Sequence, residues 1–230
     1  MQGTALQTNM PAKNRIKEFF ANSYWHLYNR GVEKRLIFLD DQDYNVFNSY
    51  LETYLVPKDM DHLNNLLNNG NPTEKDTARK LLRLNNFSDE ISLLAYCLMP
   101  NHFHFLIYQN TSEAIDKFSN SLFTRYAMYF NRKYKRVGRL FQDLYKAVSV
   151  HSREQLLWLS RYIHRNPIDL LQGSALQSYK YSSYPEYIGI RNKSWIKPNE
   201  ILTYFKSQYS AFVEISNSEP ESIYPLLLSD

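Results

Sequence analysis

The sequence predicts an α+β fold in which helices cover one face of a four-stranded antiparallel sheet. Three observations indicate it: short apolar runs of strand length, helical stripes between them, and a proline-asparagine break between two of the runs. With 230 residues, 43% hydrophobic and 22% charged, the chain can bury a core without disulfides. We expect a single domain over residues 1–230, with a loose lead-in over residues 1–16.

The first strand and the first helix follow from side-chain periodicity. Residues 23–30, SYWHLYNR, are rich in aromatics and end at Gly31, which is typical of a strand followed by a turn. From residue 42 to residue 55, large apolar side chains recur every three or four positions, which predicts a helix. The Asn-rich residues 59–89 predict a helical insertion, either a hairpin or a partly mobile excursion.

The middle of the chain predicts a hairpin, a helix and a strand. Residues 91–98 and 102–108 are apolar runs on either side of Pro100-Asn101, which predicts a β-hairpin. The longest helical stripe extends from residue 111 to residue 134, and residues 140–150 predict a further strand.

A last helix opens at Ser152, which has the capping-box spacing to Gln155, and it ends before Pro167. The preceding order of strand, helix, two strands, helix and strand is that of the ferredoxin-like β-α-β-β-α-β fold. Such a sheet carries its two helices on one face, which leaves the other face open for a partner or another helix.

Composition excludes several classes of protein. The 27 basic and 23 acidic residues give a net charge of +4, which permits a polyanionic partner without requiring one. Cys97 is the only cysteine, which excludes a disulfide framework and a cysteine-based zinc site and favours a cytoplasmic setting. No apolar run approaches the roughly 20 residues of a membrane span, so we expect no membrane partner. Residues 205–230 predict an acidic tail.

His102 and His104 form the first candidate site. On a strand they point to one face, where two imidazoles can share a divalent cation, while Phe103 and Phe105 turn into the helix-covered core. The alternative is a pair of core or surface histidines. Metal binding is the favoured interpretation, because each histidine in so apolar a run needs a polar partner when buried.

Tyr162 and Asn166 form the second candidate site, because a spacing of four places them on one face of the last helix. Together a phenol and an amide oxygen could supply a nucleophile and an oxygen ligand. Taken alone, the pattern favours the plainer interpretation, in which the tyrosine packs and the asparagine ends the helix before a proline.

A basic segment with interleaved aromatics is the third candidate. Seven cations accompany one acid, Asp143, in the sequence between residues 125 and 146. The cations are Arg125, Arg132, Lys133, Lys135, Arg136, Arg139 and Lys146. Cations that neutralise phosphates and aromatic rings that stack on bases are the mixture used to bind single-stranded nucleic acid. A basic, solvated helix end remains the alternative.

Three blocks of this sequence resemble one known family. They are MPNHFHFLI at residues 99–107, GRLFQDLYK at 138–146 and RYIHRNPI at 161–168. In order and rough spacing they resemble the single-tyrosine HUH transposases, most closely the REP-associated tyrosine transposases, whose hallmark is the His-hydrophobic-His motif. Residues 24–44 also look like that family's first strand and helix, so the resemblance covers roughly residues 24–187.

The resemblance implies a site and a reaction. His102 and His104 would ligate a catalytic Mg²⁺ or Mn²⁺, Asn166 would be the third ligand, and Tyr162 would be the nucleophile on a C-terminal catalytic helix. The implied activity is metal-dependent cleavage and strand transfer of single-stranded or hairpin DNA through a 5′-phosphotyrosine intermediate. A cation such as Arg161 or Arg165 would help the phenol to ionise.

Two other functions remain open on the same scaffold. One is a non-catalytic, domesticated nucleic-acid-binding protein, and the other is a metal-dependent phosphoesterase that acts through water. Residues 59–89 make a longer excursion than the family pattern leads us to expect, and the acidic tail is a second departure from it. We expect a monomer rather than a homodimer.

Overall fold

The computed structural model describes residues 18–205, 207–215 and 220–227, and its central element is a four-stranded sheet. The strands lie in the order β2-β3-β1-β4, and every neighbouring pair is antiparallel. They are β1 (Ser23–Arg30), β2 (Ile91–Met99), β3 (His102–Gln109) and β4 (Lys146–Val150). This arrangement confirms the predicted α+β class and its ferredoxin-like strand order. The predicted lead-in, residues 1–16, lies outside the described residues.

Eight α-helices lie in the described part of the chain. They are α1 (Asp41–Leu55), α2 (Met60–Asn69), α3 (Pro72–Arg83), α4 (Ala114–Lys133), α5 (Arg153–Arg165), α6 (Tyr184–Tyr187), α7 (Asn199–Leu202) and α8 (Tyr209–Glu214). None of these helices has the length and apolar character needed to cross a bilayer.

The two faces of the sheet carry separate apolar clusters. Phe103 and Phe105 of β3 pack with α1 and α4 in a cluster rich in aromatic rings, as the alternation along the strand predicts. On the opposite face, Leu106 of β3 packs with Leu159 and Ile163 of α5 and with residues from α6, α7 and α8. The face that the strand pattern left open is therefore covered by the last predicted helix and the chain that follows it.

The segment between α1 and β2 contains α2 and α3, two helices that contact each other. Asn71 begins α3 with a reciprocal cap: its side chain accepts from the Glu74 backbone N–H, and the Glu74 carboxylate accepts from the Asn71 N–H. Pro72 occupies the first turn, where its missing N–H costs no hydrogen bond.

Two local predictions need correction. The strand expected over residues 140–150 begins only at Lys146, because Leu140 and Phe141 are both buried and the next three residues are all exposed, which breaks the two-residue period. The capping box of α5 is half formed. Ser152 accepts from the Gln155 N–H at 3.1 Å, but the Gln155 amide oxygen accepts from the His151 N–H instead.

A buried carboxylate joins α1 to α4. The Asp43 side chain is fully buried and accepts hydrogen bonds from the hydroxyls of Tyr129 and Tyr134 and from the Leu39 N–H. The Lys133 ammonium lies 2.8 Å from it and supplies the compensating charge. Lys133, predicted to contact DNA, is therefore engaged in holding two helices together.

We expect Lys133→Met to lower the free energy of unfolding by about 2–4 kcal/mol, because it leaves the Asp43 carboxylate buried without its cation. Urea denaturation measures this loss. The neighbouring Arg132 is exposed, so Arg132→Met should change stability by no more than about 0.5 kcal/mol. Equal losses in the two variants would show that the ion pair does not hold the helices.

Candidate active site

The strand register places a row of polar side chains on the face of the sheet that α5 covers. His104 of β3 lies opposite Tyr28 of β1, and Tyr28 lies opposite Lys146 of β4. Residues paired across antiparallel strands point to the same face. His102 is two positions from His104 and therefore shares this face, which we call the site face.

His104 is fully buried, and its two ring nitrogens have different environments. Its Nδ1 lies 2.9 Å from Nε2 of His26, a third histidine of the site face. Its Nε2 is buried and has no hydrogen-bond partner among the described residues. Such a buried lone acceptor is costly unless another group, such as a cation, engages it.

A ring nitrogen of His102 and the amide oxygen of Asn166 approach each other from different elements. Asn101 Oδ1 lies 2.6 Å from Nδ1 of His102, and because an amide oxygen can only accept, that nitrogen carries the proton. Nε2 of the His102 ring lies 3.4 Å from Asn166 Oδ1. The Asn166 amide is oriented by its Nδ2, which donates to the Tyr162 carbonyl at 3.1 Å.

Tyr162 lies on α5 directly against the histidines. Its ring is 5.4 Å from that of His104 and 6.2 Å from that of His26, edge to face in both cases. The rings of His102 and His104 are themselves 5.0 Å apart. A single chain thus brings together the imidazole pair, the phenol and the amide that the sequence singled out.

Three groups could hold a divalent cation here: the buried Nε2 of His104, the Nε2 of His102 and the Oδ1 of Asn166. Imidazole nitrogens and an amide oxygen are acceptable ligands for Mn²⁺ and Mg²⁺. The described residues contain no cluster of three or more His, Cys, Asp or Glu side chains suited to a metal. Because these three ligands would be uncharged, they would not neutralise the positive charge of a bound cation, which could then attract an anionic group.

Burial sets the protonation of the site face. It lowers the pKa of His26 to about 4 and lowers the pKa of His104 well below its usual value, with the neighbouring histidines acting in the same direction on His104. Both rings are therefore neutral near pH 7. Burial raises the pKa of Tyr28, and the nearby Tyr162 raises it further, so Tyr28 remains a protonated phenol.

Helix α5 is held in place on the side away from the sheet. Arg161 is almost fully buried, and its guanidinium donates to the carbonyls of Phe212 and Ile215. Arg165 donates to the Val213 carbonyl at 2.7 Å. The suggestion that one of these arginines assists the phenol is not supported, because both guanidiniums bind the carbonyl end of α8.

The seven candidate DNA-contacting cations divide into two groups. Arg125 lies 3.8 Å from the centre of the Tyr50 ring, Lys133 pairs with Asp43, and Arg136 donates to the Asn131 side chain at 2.9 Å. The other four have exposed side chains: Arg132, Lys135, Arg139 and Lys146.

Arg139 and Lys146 lie at opposite ends of the short stretch that leads into β4. Arg139 lines a cleft of about 330 Å³ together with Phe123 and Asn29. Lys146 stands 5.8 Å from the centre of the Tyr28 ring, on the site face.

Two residues of the site face were not identified from the sequence, His26 and Tyr28. The only available signal was their spacing: they alternate on β1 as His102 and His104 alternate on β3. That signal becomes specific only when the pairing of the two strands is known, because nothing else distinguishes them from other buried aromatics.

Comparison with known proteins connects this site to a family. The family model described as "Transposase IS200 like" matches residues 69–166, somewhat less than half of the chain. No curated protein matches the sequence.

Two solved structures are similar to this chain. The REP-associated tyrosine transposase bound to a REP hairpin is 8% identical with a TM-score of 0.44, over 81% of this chain and 98% of that one. A putative transposase from Deinococcus radiodurans R1 is 16% identical with a TM-score of 0.27, over 68% of this chain and 96% of that one. The segment that matches the IS200-like transposase family model carries both histidines, Tyr162 and Asn166, so the site lies in the part of this chain that is similar to that family.

Proposed function

We propose that this protein cleaves and rejoins single-stranded DNA, with Tyr162 as nucleophile and a divalent cation held by His102, His104 and Asn166. The observation that carries the proposal is the buried Nε2 of His104, which has no hydrogen-bond partner in the described part of the chain and lies beside the Tyr162 ring. The match of residues 69–166 to the IS200-like transposase family model supports DNA as the substrate.

The reaction exchanges one phosphodiester for another. The Tyr162 oxygen attacks phosphorus and loses its proton, the bond from phosphorus to the 3′ oxygen breaks, and that oxygen leaves as a 3′-OH. The product is a 5′-phosphotyrosine, and attack by a 3′-OH reverses the step without an external energy source. The bound cation would neutralise charge on the scissile phosphate.

The fold would hold the nucleophile and the proposed ligands at fixed positions and would surround a bound cation with uncharged groups. Tyr162 lies on the last turn of α5 and Asn166 caps that helix, which Leu159 and Ile163 anchor to the sheet, so the separation of the two residues is fixed before DNA binds. Because no residue of the proposed ligand set is anionic, a bound cation would keep its charge for the phosphate. Protonated Tyr28 on the same face keeps a hydrogen-bond donor there.

The exposed cations supply a route for the DNA backbone. Lys146 lies on the site face next to Tyr28, whereas Arg139 lines a cleft with Phe123 and Asn29 on the α4 side of the sheet. A cation that lines an aromatic cleft, such as Arg139, suits a single strand, whose phosphates are neutralised while an unpaired base stacks. A hairpin-bearing single strand is therefore the substrate we propose to test.

We expect Tyr162→Phe to abolish the covalent protein–DNA product while leaving DNA affinity within about twofold, since only the attacking oxygen is removed. The assay incubates protein and 5′- or 3′-labelled hairpin-bearing single strands with Mn²⁺ and resolves the products on a denaturing gel. Tyr108→Phe, at a partly exposed tyrosine of the same strand as the histidines, is the matched control. An adduct that persists in Tyr162→Phe would assign the nucleophile elsewhere, and cleavage without any adduct in the native protein would favour hydrolysis by water.

We expect His104→Ala, His102→Ala and Asn166→Ala each to weaken Mn²⁺ binding by at least about tenfold, because each removes one proposed ligand. Titration followed by electron paramagnetic resonance measures the affinity directly, without DNA. His62→Ala, at an exposed histidine of α2, should leave it unchanged. Undiminished binding in all three site variants would remove the cation from the proposal.

We expect Lys146→Ala and Arg139→Ala each to reduce the slope of log affinity against log salt for single-stranded DNA by about 0.7, the value for one lost phosphate contact. Fluorescence anisotropy across a salt series measures the slope. Arg79→Ala, at an exposed arginine of α3, should not change it. An identical reduction in Arg79→Ala would mean that the effect reflects overall charge rather than a binding path.

A further inference from the structure

His26 is a buried histidine of the site face that the proposed ligand set does not use. It is fully buried, and both of its ring nitrogens have close partners. Nδ1 faces the backbone carbonyl of Leu226, and Nε2 lies 2.9 Å from Nδ1 of His104. His26 thus links the end of the described chain to one proposed metal ligand.

The Leu226 carbonyl determines where the protons of this chain of groups lie. A carbonyl oxygen can only accept, so the His26 Nδ1 carries its ring's proton and donates it. Nε2 of the neutral His26 is then an acceptor, and Nδ1 of His104 must be the donor to it. This places the lone pair of His104 on Nε2, the buried nitrogen for which the described ranges supply no hydrogen-bond partner.

The opposite arrangement, with the His104 proton on Nε2, is unfavourable for two reasons. If His104 carried its proton on Nε2, the donor between the two rings would have to be His26 Nε2, and His26 Nδ1 would face the Leu226 oxygen as a second acceptor. The His104 Nε2–H would in addition be a buried donor without an acceptor. A buried polar group left without its hydrogen bond is costly, so the first arrangement dominates.

The segment that supplies the carbonyl is docked on α5 and β4. Residues 220–227, which we call the C-terminal segment, include the 3₁₀ turn Glu221–Leu226, which contacts both elements. The Leu226 side chain is buried in the apolar cluster beneath α5, and Gln155 of α5 donates to the Ser222 carbonyl at 2.9 Å.

We infer that His26 is a positioning residue, and that the docked C-terminal segment acts through it to keep the His104 lone pair on the nitrogen that faces the site. This inference rests on the proposed role of His104 as a metal ligand. A histidine ligand commonly donates its other N–H to a fixed acceptor, which orients the ring and raises its basicity. Docking of the segment and binding of the cation therefore strengthen each other, because coupling between two sites is reciprocal.

The proton positions can be measured directly by ¹⁵N NMR of the imidazoles in metal-free protein near pH 7. We expect both His26 and His104 to carry their protons on Nδ1. His26→Leu removes the nitrogen that accepts from His104, while its side chain suits the apolar surroundings. In this variant we expect the His104 proton to be shared between Nδ1 and Nε2. A native His104 with its proton on Nε2 would overturn the inference, whether or not the protein binds Mn²⁺.

Mn²⁺ affinity tests the consequence for the site. We expect His26→Leu to weaken binding by about 10–100-fold, the usual effect of removing a partner of a metal ligand. His26→Gln, whose side-chain oxygen can again accept from His104, should recover most of the loss. Equal affinities in the native protein and His26→Leu would overturn the inference, and so would a His26→Gln variant as weak as His26→Leu.

The role of the C-terminal segment is tested in the full chain. Leu226→Asp places a carboxylate in the apolar cluster and should undock the segment, whereas Tyr224→Asp alters an exposed side chain of the same turn. We expect Leu226→Asp to weaken Mn²⁺ binding and Tyr224→Asp to leave it unchanged. In a protein that already carries His26→Leu, adding Leu226→Asp should weaken binding little further, because both substitutions act on one chain of hydrogen bonds. If the losses in affinity from Leu226→Asp and His26→Leu multiplied in the double variant, the coupling would be overturned.

If the native protein binds no Mn²⁺ at all, the metal role proposed for His104 fails, and the NMR result still decides the proton positions.

Discussion

In the antiparallel pairing of β1 with β3, His104 lies opposite Tyr28 and His102 lies opposite Arg30, and everything at the site depends on this register. A slip of one residue would turn both imidazoles into the aromatic cluster under α1 and α4 and bring Phe103 to the site. The cost of burying imidazoles among those rings, and of placing a phenylalanine among the polar groups of the site, holds the register in place. Core packing and chemistry are thus specified by the same alternation along one strand.

A second constraint fixes the helix that faces those histidines. His164 is fully buried on α5, with Nδ1 2.7 Å from the Tyr209 hydroxyl and Nε2 2.8 Å from the Ser183 hydroxyl. The Ser183 hydroxyl also accepts from the Tyr96 N–H of β2, which ties the helix to the sheet. Together with the arginines that bind the end of α8, this network prevents α5 from rotating. Rotation would carry Tyr162 and Asn166 away from the site face.

Local patterns in the sequence were sufficient to predict many of the strands and helices. The alternating aromatics of β1, the two runs around Pro100-Asn101 and the capped start of α5 are each encoded within a few residues, so their existence and type could be predicted. The pair His102 and His104 could be assigned to one face for the same reason.

What could not be predicted depends on partners distant in sequence. His26 is separated from His104 by 78 residues and from Leu226 by 200, and only the folded register reveals that the three are linked. Lys133 looked like a free cation in its basic segment because the acid that neutralises it, Asp43, lies 90 residues earlier. The Arg161 side chain is oriented by its hydrogen bonds to the end of α8. Its orientation could not be predicted, because the sequence of α8 shows no clear periodicity.

The acceptor at the end of the histidine chain belongs to the polypeptide backbone rather than to a side chain. Position 226 could therefore change among apolar residues of similar size without altering the oxygen that His26 meets. Related chains could keep this contact while their C-terminal sequences diverge, and a search for invariant side chains would overlook it.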